Sequence, residues 1–141
     1  MTPLAAALGD VDRAALAARD PIAEVRRRPR SEWEVAAHLT AAVCYGAVAQ
    51  IRKAARTVLD AHAELVARDP AWQRGALAEQ LDGFVYRMTG ADDVDRLLWS
   101  LDELRRRYGT LEQAFAASAS AVLPLQERLA RYADAIRSAS D

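Results

Sequence analysis

The sequence predicts an all-α protein, a compact globular bundle of six or seven helices. Three observations lead there. Alanine is abundant and β-branched residues are sparse, so propensity summed over long windows favours helix almost everywhere. Apolar residues return at helical spacing in segment after segment. The joints between those segments are short, and no internal repeat is present.

Taken in order, the first helix is expected from about Pro3 to Ala18, with Leu4, Leu8, Val11 and Ala15 on one stripe. Residues 1–19 read as a flexible or peripheral amino-terminal helix, and Asp20-Pro21 punctuates it. Ile22 to Arg30 reads as a charged connector. Ser31 and Glu34 have the spacing of a capping box, opening a helix that is apolar nearly all round from Val35 to Ala49 and therefore central. Gly46 separates it from the next helix, where Ile51, Ala54, Ala55, Val58, Leu59, His62, Leu65 and Val66 keep a 3.6-residue period. Asp69-Pro70 signals a helix start, carried on by Trp72, Leu77 and Leu81 to the stop at Asp82-Gly83.

Phe84 to Met88 alone has strand-like composition; because a lone strand leaves its backbone unpaired, an extended or helical-turn linker is expected. From Asp92 to Tyr108 a helix is predicted with acids at its amino end and Arg105, Arg106 and Arg107 at its carboxyl end, as the macrodipole prefers. Gly109 suits the residue after it. Thr110 and Gln113 form a second capping box for a short helix to Ala117. The last helix begins between Ala121 and Pro124 and carries Leu125, Leu129, Tyr132 and Ile136.

The chain has 141 residues, 52% of them hydrophobic, and a formal charge of −1. That length suits one helical domain, residues 1–141, with enough apolar surface to bury a core. A lone cysteine, Cys44, cannot form an internal disulfide, and no apolar run is long enough for a membrane span. The amino terminus lacks the basic lead of a signal peptide, so a cytoplasmic location is expected. Near-zero net charge argues against a strongly electrostatic nucleic-acid binder.

No catalytic residue, metal site or cofactor is assigned from the residues. His38 and His62 lie on different helices, and Cys44 has no companion thiol; both histidines read as core or boundary residues with their hydrogen bonds satisfied. Phosphate-binding glycine loops are absent. Asp92, Asp93 and Asp95 are explained by the helix start they occupy. Trp33, Trp72 and Trp99 are expected in the core. The arginine clusters are more informative: Arg26, Arg27, Arg28 and Arg30, then Arg52, Lys53 and Arg56, then Arg105 to Arg107. Two of them brought together would make a phosphate-binding surface.

Two segments carry a resemblance. Ala41 to Ile51, with Tyr45-Gly46 and Gln50-Ile51, resembles a signature stretch of an uncharacterised bacterial family, the domain of unknown function 2400 family. Leu81 to Thr89, with Gly83-Phe84 and Tyr86-Arg87, resembles a second. Asp93 to Leu101, Tyr108 to Glu112 and Phe115 continue in the family's order, so the resemblance spans about residues 20 to 130. That family is in turn distantly similar to helix-hairpin-helix DNA glycosylases, which implies an all-helical fold and a DNA-facing groove. The glycine-rich hairpin and the downstream aspartate of those enzymes have no counterpart here, so no catalytic residue carries over. The resemblance is to the amino-terminal part of that fold.

Two functions are therefore expected. One is a non-enzymatic helical interaction domain, a half-fold that self-associates or meets a partner protein through exposed apolar surface. The other is a nucleic-acid-binding module in which Arg52, Lys53, Arg56 and Arg87 contact phosphates. An enzyme is the weakest reading; Tyr45, Gln50, Tyr86 and Arg87 would line its pocket.

Overall fold

A computed structural model describes residues 12–140. In chain order these form α1 (Arg13–Arg19), α2 (Ile22–Arg26), a 3-10 turn (Arg30–Glu32), α3 (Trp33–Ala42), α4 (Val48–Arg68), α5 (Ala76–Gln80), β1 (Val85–Tyr86), β2 (Thr89–Gly90), α6 (Ala91–Tyr108), α7 (Leu111–Ser118) and α8 (Leu125–Ser138). The expected all-α bundle is what forms, with eight α-helices among the described residues. Most of the first expected helix lies outside them. None of the helices is long and apolar enough to cross a membrane.

Helix α3 is central, packing against α2, α4, α6 and α7. Its Val35, Ala36 and Leu39 meet Val58, Leu59 and Leu65 of α4 and Val94, Leu98, Leu101 and Leu104 of α6 in one cluster of buried residues. Each such leucine contributes roughly 1.5–3 kcal/mol by leaving water. Val43, Ala54 and Ala55 form a smaller cluster against which Phe84 and Tyr86 pack. That second cluster seats the 84–90 segment on the first half of α4.

Local signals were followed where the partner was local and overridden where it was distant. Thr110 and Gln113 do form their box: Thr110 Oγ1 accepts from Gln113 N and Gln113 Oε1 from Thr110 N, both at 3.0 Å. Ser31 and Glu34 do not. Glu34 instead reaches across the bundle and accepts from Leu111 N and Glu112 N at 3.0 Å each. Between them, Glu34 and Thr110 satisfy the first three amides of α7, groups that have no partner inside the helix.

Five other expectations are corrected. Ile22–Arg26 is helical rather than connector, because Asp20 Oδ1 accepts from Ile22 N at 2.8 Å and fixes a first turn. The apolar run from Val35 to Ala49 is not one helix: α3 stops at Ala42 and a loop containing Gly46 at φ 114° intervenes before α4. Asp69-Pro70 opens a turn, with Asp69 accepting from Ala71 N, and α5 starts only at Ala76. Its start is set from outside by buried Asp95, which accepts from Gly75 N, Leu77 N and Ala78 N at 2.8–3.3 Å. Phe84 to Met88 is no lone linker: Val85 and Tyr86 pair antiparallel with Gly90 and Thr89 in a two-residue hairpin. Finally, Trp33 is 36% exposed, its Nε1 donating to Arg28 O, whereas Trp72 is buried edge-to-face on half-buried Trp99.

Candidate functional site

The basic residues of α4 follow from its amphipathic period. Ile51, Ala54, Ala55 and Val58 turn inward, which leaves Gln50, Lys53, Arg56 and Thr57 exposed and Arg52 at the boundary. Beside this face, on α2, stands Glu24, only 1% exposed. It collects three arginines. Arg27 Nη1 donates to Oε2 at 2.9 Å, Arg52 Nε to Oε1 at 3.0 Å, and Arg56 Nε and Nη2 to both oxygens at 3.1 and 3.0 Å.

The hydrogen bonds from Arg56 above all, with those from Arg27 and Arg52, hold the Glu24 carboxyl at about 2 although burial opposes them. The same contact raises Arg56. Three guanidiniums around one carboxylate leave a surplus of positive charge, which Lys53 extends and Asp60, one turn beyond Arg56, limits. Sequence reasoning missed Glu24. Its only local signal was the three-residue spacing to Arg27; Arg52 and Arg56 lie far along the chain.

The hairpin faces α4 from the other side. Tyr45, in the α3–α4 loop, donates its hydroxyl to Tyr86 O at 2.8 Å, and Tyr86 donates its own to Tyr45 O at 2.7 Å. Their ring centroids are 5.4 Å apart. Gly46 lies under the same contact: a Cβ there would come within 2.9 Å of Arg87 Nε and 3.0 Å of Tyr86 Oη. Arg87 holds φ 55°, the positive value a tight two-residue hairpin turn demands. Exposed Val85 and Met88 flank it.

Between hairpin and helix runs a cleft of about 490 Å³, with Gln50, Lys53 and Thr57 on one wall and Phe84, Tyr86 and Arg87 on the other. A smaller depression of about 330 Å³ on α4 is lined by Ala49, Arg52, Lys53 and Arg56. Lys53 borders both. Arg52, Lys53 and Arg56 therefore share the depression, Lys53 alone of them reaches the cleft with Arg87, and of the four pocket residues Gln50, Tyr86 and Arg87 line the cleft while Tyr45 braces it from behind. Of the other arginines, Arg27 joins Arg52 and Arg56 on Glu24, while Arg28 and Arg105 line a separate cavity. Arg28 pairs with Glu32 at 2.9 Å, and Arg106 with Glu103 at 2.9 Å near the end of α6.

Neither His38 nor Cys44 joins this face in a reactive pair. His38 Nδ1 meets Glu34 O at 2.6 Å and its Nε2 meets the Tyr132 hydroxyl at 3.1 Å, a satisfied boundary histidine. Cys44 is exposed and unpaired. Among the described residues no group of three His, Cys, Asp or Glu side chains comes together to hold a metal.

A family model described as "Protein of unknown function (DUF2400)" matches residues 20–141. The match starts where the resemblance was read and runs beyond residue 130 to take in all of α8. No curated protein and no solved structure matches the chain.

Proposed function

The chain belongs to the DUF2400 family, and from that footing we propose that it is a nucleic-acid-binding helical module that contacts the phosphate backbone without chemistry of its own. One observation carries the reading: Lys53 borders both the Arg52–Arg56 depression and the cleft leading to Arg87, and so links these cations into one basic track on a molecule whose net charge is −1. Guanidiniums and ammoniums gathered on one side, with a cleft between, suit a polyanion better than a small neutral ligand. The resemblance to DNA glycosylases read from the sequence makes duplex DNA the polyanion we propose.

Anisotropy titration of a labelled duplex between about 50 and 200 mM salt tests it. Affinity should fall steeply with salt, and Lys53→Gln should flatten the log–log slope by about one unit without depending on DNA sequence. Absence of binding at low salt, or an unchanged slope in that variant, removes the reading.

A second reading rests on a different surface. Val122, Leu125 and Leu129 are 89%, 58% and 51% exposed, and Leu129 lines a groove of about 350 Å³ with Ala37, Leu111, Phe115 and Tyr132. This supports self-association through α8, which would need roughly 1,000 Å² of buried surface. Light scattering across a concentration series distinguishes a stable dimer from a monomer.

A further inference from the structure

Away from the hairpin, a cavity of about 600 Å³ opens between the second half of α4, the 28–35 segment, the loop carrying Trp72, and α6. His62 lines it. The residue is only 7% exposed, and neither ring nitrogen makes a hydrogen bond among the described residues. Among the described residues three buried side-chain atoms lack both solvent and a partner, Thr40 Oγ1, Gln80 Oε1 and Arg128 Nε, and the imidazole nitrogens are not among them. Those nitrogens thus keep accessible surface, and the cavity is where His62 finds it. A nearly buried polar group with no protein partner, facing a cavity, is a group whose partner comes from solution.

The charges around the cavity are not equally committed. Arg28 is held by Glu32 through both Nε and Nη2, at 3.0 and 2.9 Å. Asp102 is approached by Arg106 at 3.7 Å. Arg105 alone of these cations has no carboxylate partner among the described residues, and it lines the cavity. Val35, Val66, Trp72 and Leu98 supply an apolar wall. Burial lowers the His62 pKa below its ordinary 6.5, against the charge of Glu32, so the ring is neutral at pH 7 and offers one donor and one acceptor.

We propose that this cavity binds a small aromatic anion, its carboxylate or phosphate on Arg105, its ring against Trp72 and Leu98, and a polar atom on His62. The site stands independently of the nucleic-acid reading. Each part answers one observation: an uncommitted guanidinium, an apolar wall of which one side is indole, and an imidazole open to the cavity with no protein partner among the described residues.

Phenyl phosphate and benzoate are the probes, with benzyl alcohol and benzylamine as neutral and cationic counterparts. Binding to the full chain is followed by tryptophan fluorescence and by NMR of the histidine rings. Both anions should bind saturably, moving the His62 resonances and leaving those of His38 in place. Arg105→Gln should weaken the anions about tenfold and leave benzyl alcohol unaffected; because the Arg105 side chain holds no ion pair among the described residues, this variant keeps the fold. His62→Gln should weaken all four probes, and if it fails to fold, Arg105→Gln decides alone. Equal binding of anions and benzyl alcohol, unmoved His62 signals, or an unchanged affinity in Arg105→Gln would overturn the proposal.

Discussion

Tyr45 and Tyr86 exchange hydrogen bonds, each hydroxyl donating to the other's carbonyl at 2.8 and 2.7 Å, across 41 residues of sequence. The pair welds the α3–α4 loop to the hairpin. Tyr45→Phe and Tyr86→Phe should each destabilise by about 1 kcal/mol in urea unfolding, since Tyr86→Phe removes the hydroxyl that donates to Tyr45 O and Tyr45→Phe removes the one that donates to Tyr86 O and meets Thr89 Oγ1. The double variant should fall short of the sum, because the two bonds close one ring of contacts.

Gly46→Ala meets two obstacles at once. The backbone sits at φ 114°, and the new methyl would press on Arg87 Nε and Tyr86 Oη. A loss of roughly 1–3 kcal/mol is expected, read as a lower urea midpoint.

Acid titration of stability should carry the mark of Glu24. Its carboxyl drops from 4.5 to about 2 on folding, so the unfolded chain binds the proton first. The stabilisation is complete above pH 4.5 and disappears as pH falls from there towards 2. Glu24→Gln should cost on the order of 3 kcal/mol at pH 7, because three arginines lose the negative charge they share and one of its two acceptor oxygens becomes a donor, and should flatten that acid limb. A wild-type slope retained in the variant would mean another carboxylate is responsible.

His62 gives a separate window. Its pKa is lowered in the folded state, so the unfolded ring again takes the proton more readily. Stability should hold above the ordinary pKa of 6.5 and decline as pH falls below it. His62→Gln should remove this decline while leaving the one below pH 4.5 in place.

Asp95 holds three backbone amides at the start of α5 from a buried position. Asp95→Ala strands Leu77 N inside the protein and should destabilise by about 2–4 kcal/mol, with the amides of Gly75, Leu77 and Ala78 exchanging fastest.

The contrast between Thr110 and Ser31 explains what was legible beforehand. Thr110 found its partner three residues on, as did Asp93 with Gly90 N at 2.9 Å, and the ends of α6 and α7 were read nearly correctly. Ser31 had the same local pattern, yet Glu34 took amides 77 and 78 residues away, which no short window contains. The delayed start of α5 has the same origin in Asp95. On the candidate face, the four cations were visible as residues, whereas Glu24, which gathers Arg52 and Arg56, was not. The hairpin escaped notice because β2 is only Thr89–Gly90, two residues without strand-like character.

Lys53 is the only lysine in the chain and Cys44 the only cysteine. Both are exposed, the amine in the middle of the basic face and the thiol in the loop behind the hairpin. The molecule thus carries one side-chain amine and one thiol, attachment points for two different chemistries. Acylating the side-chain amine would erase a single central charge without mutagenesis, and a fluorophore on the thiol would report what approaches the cleft.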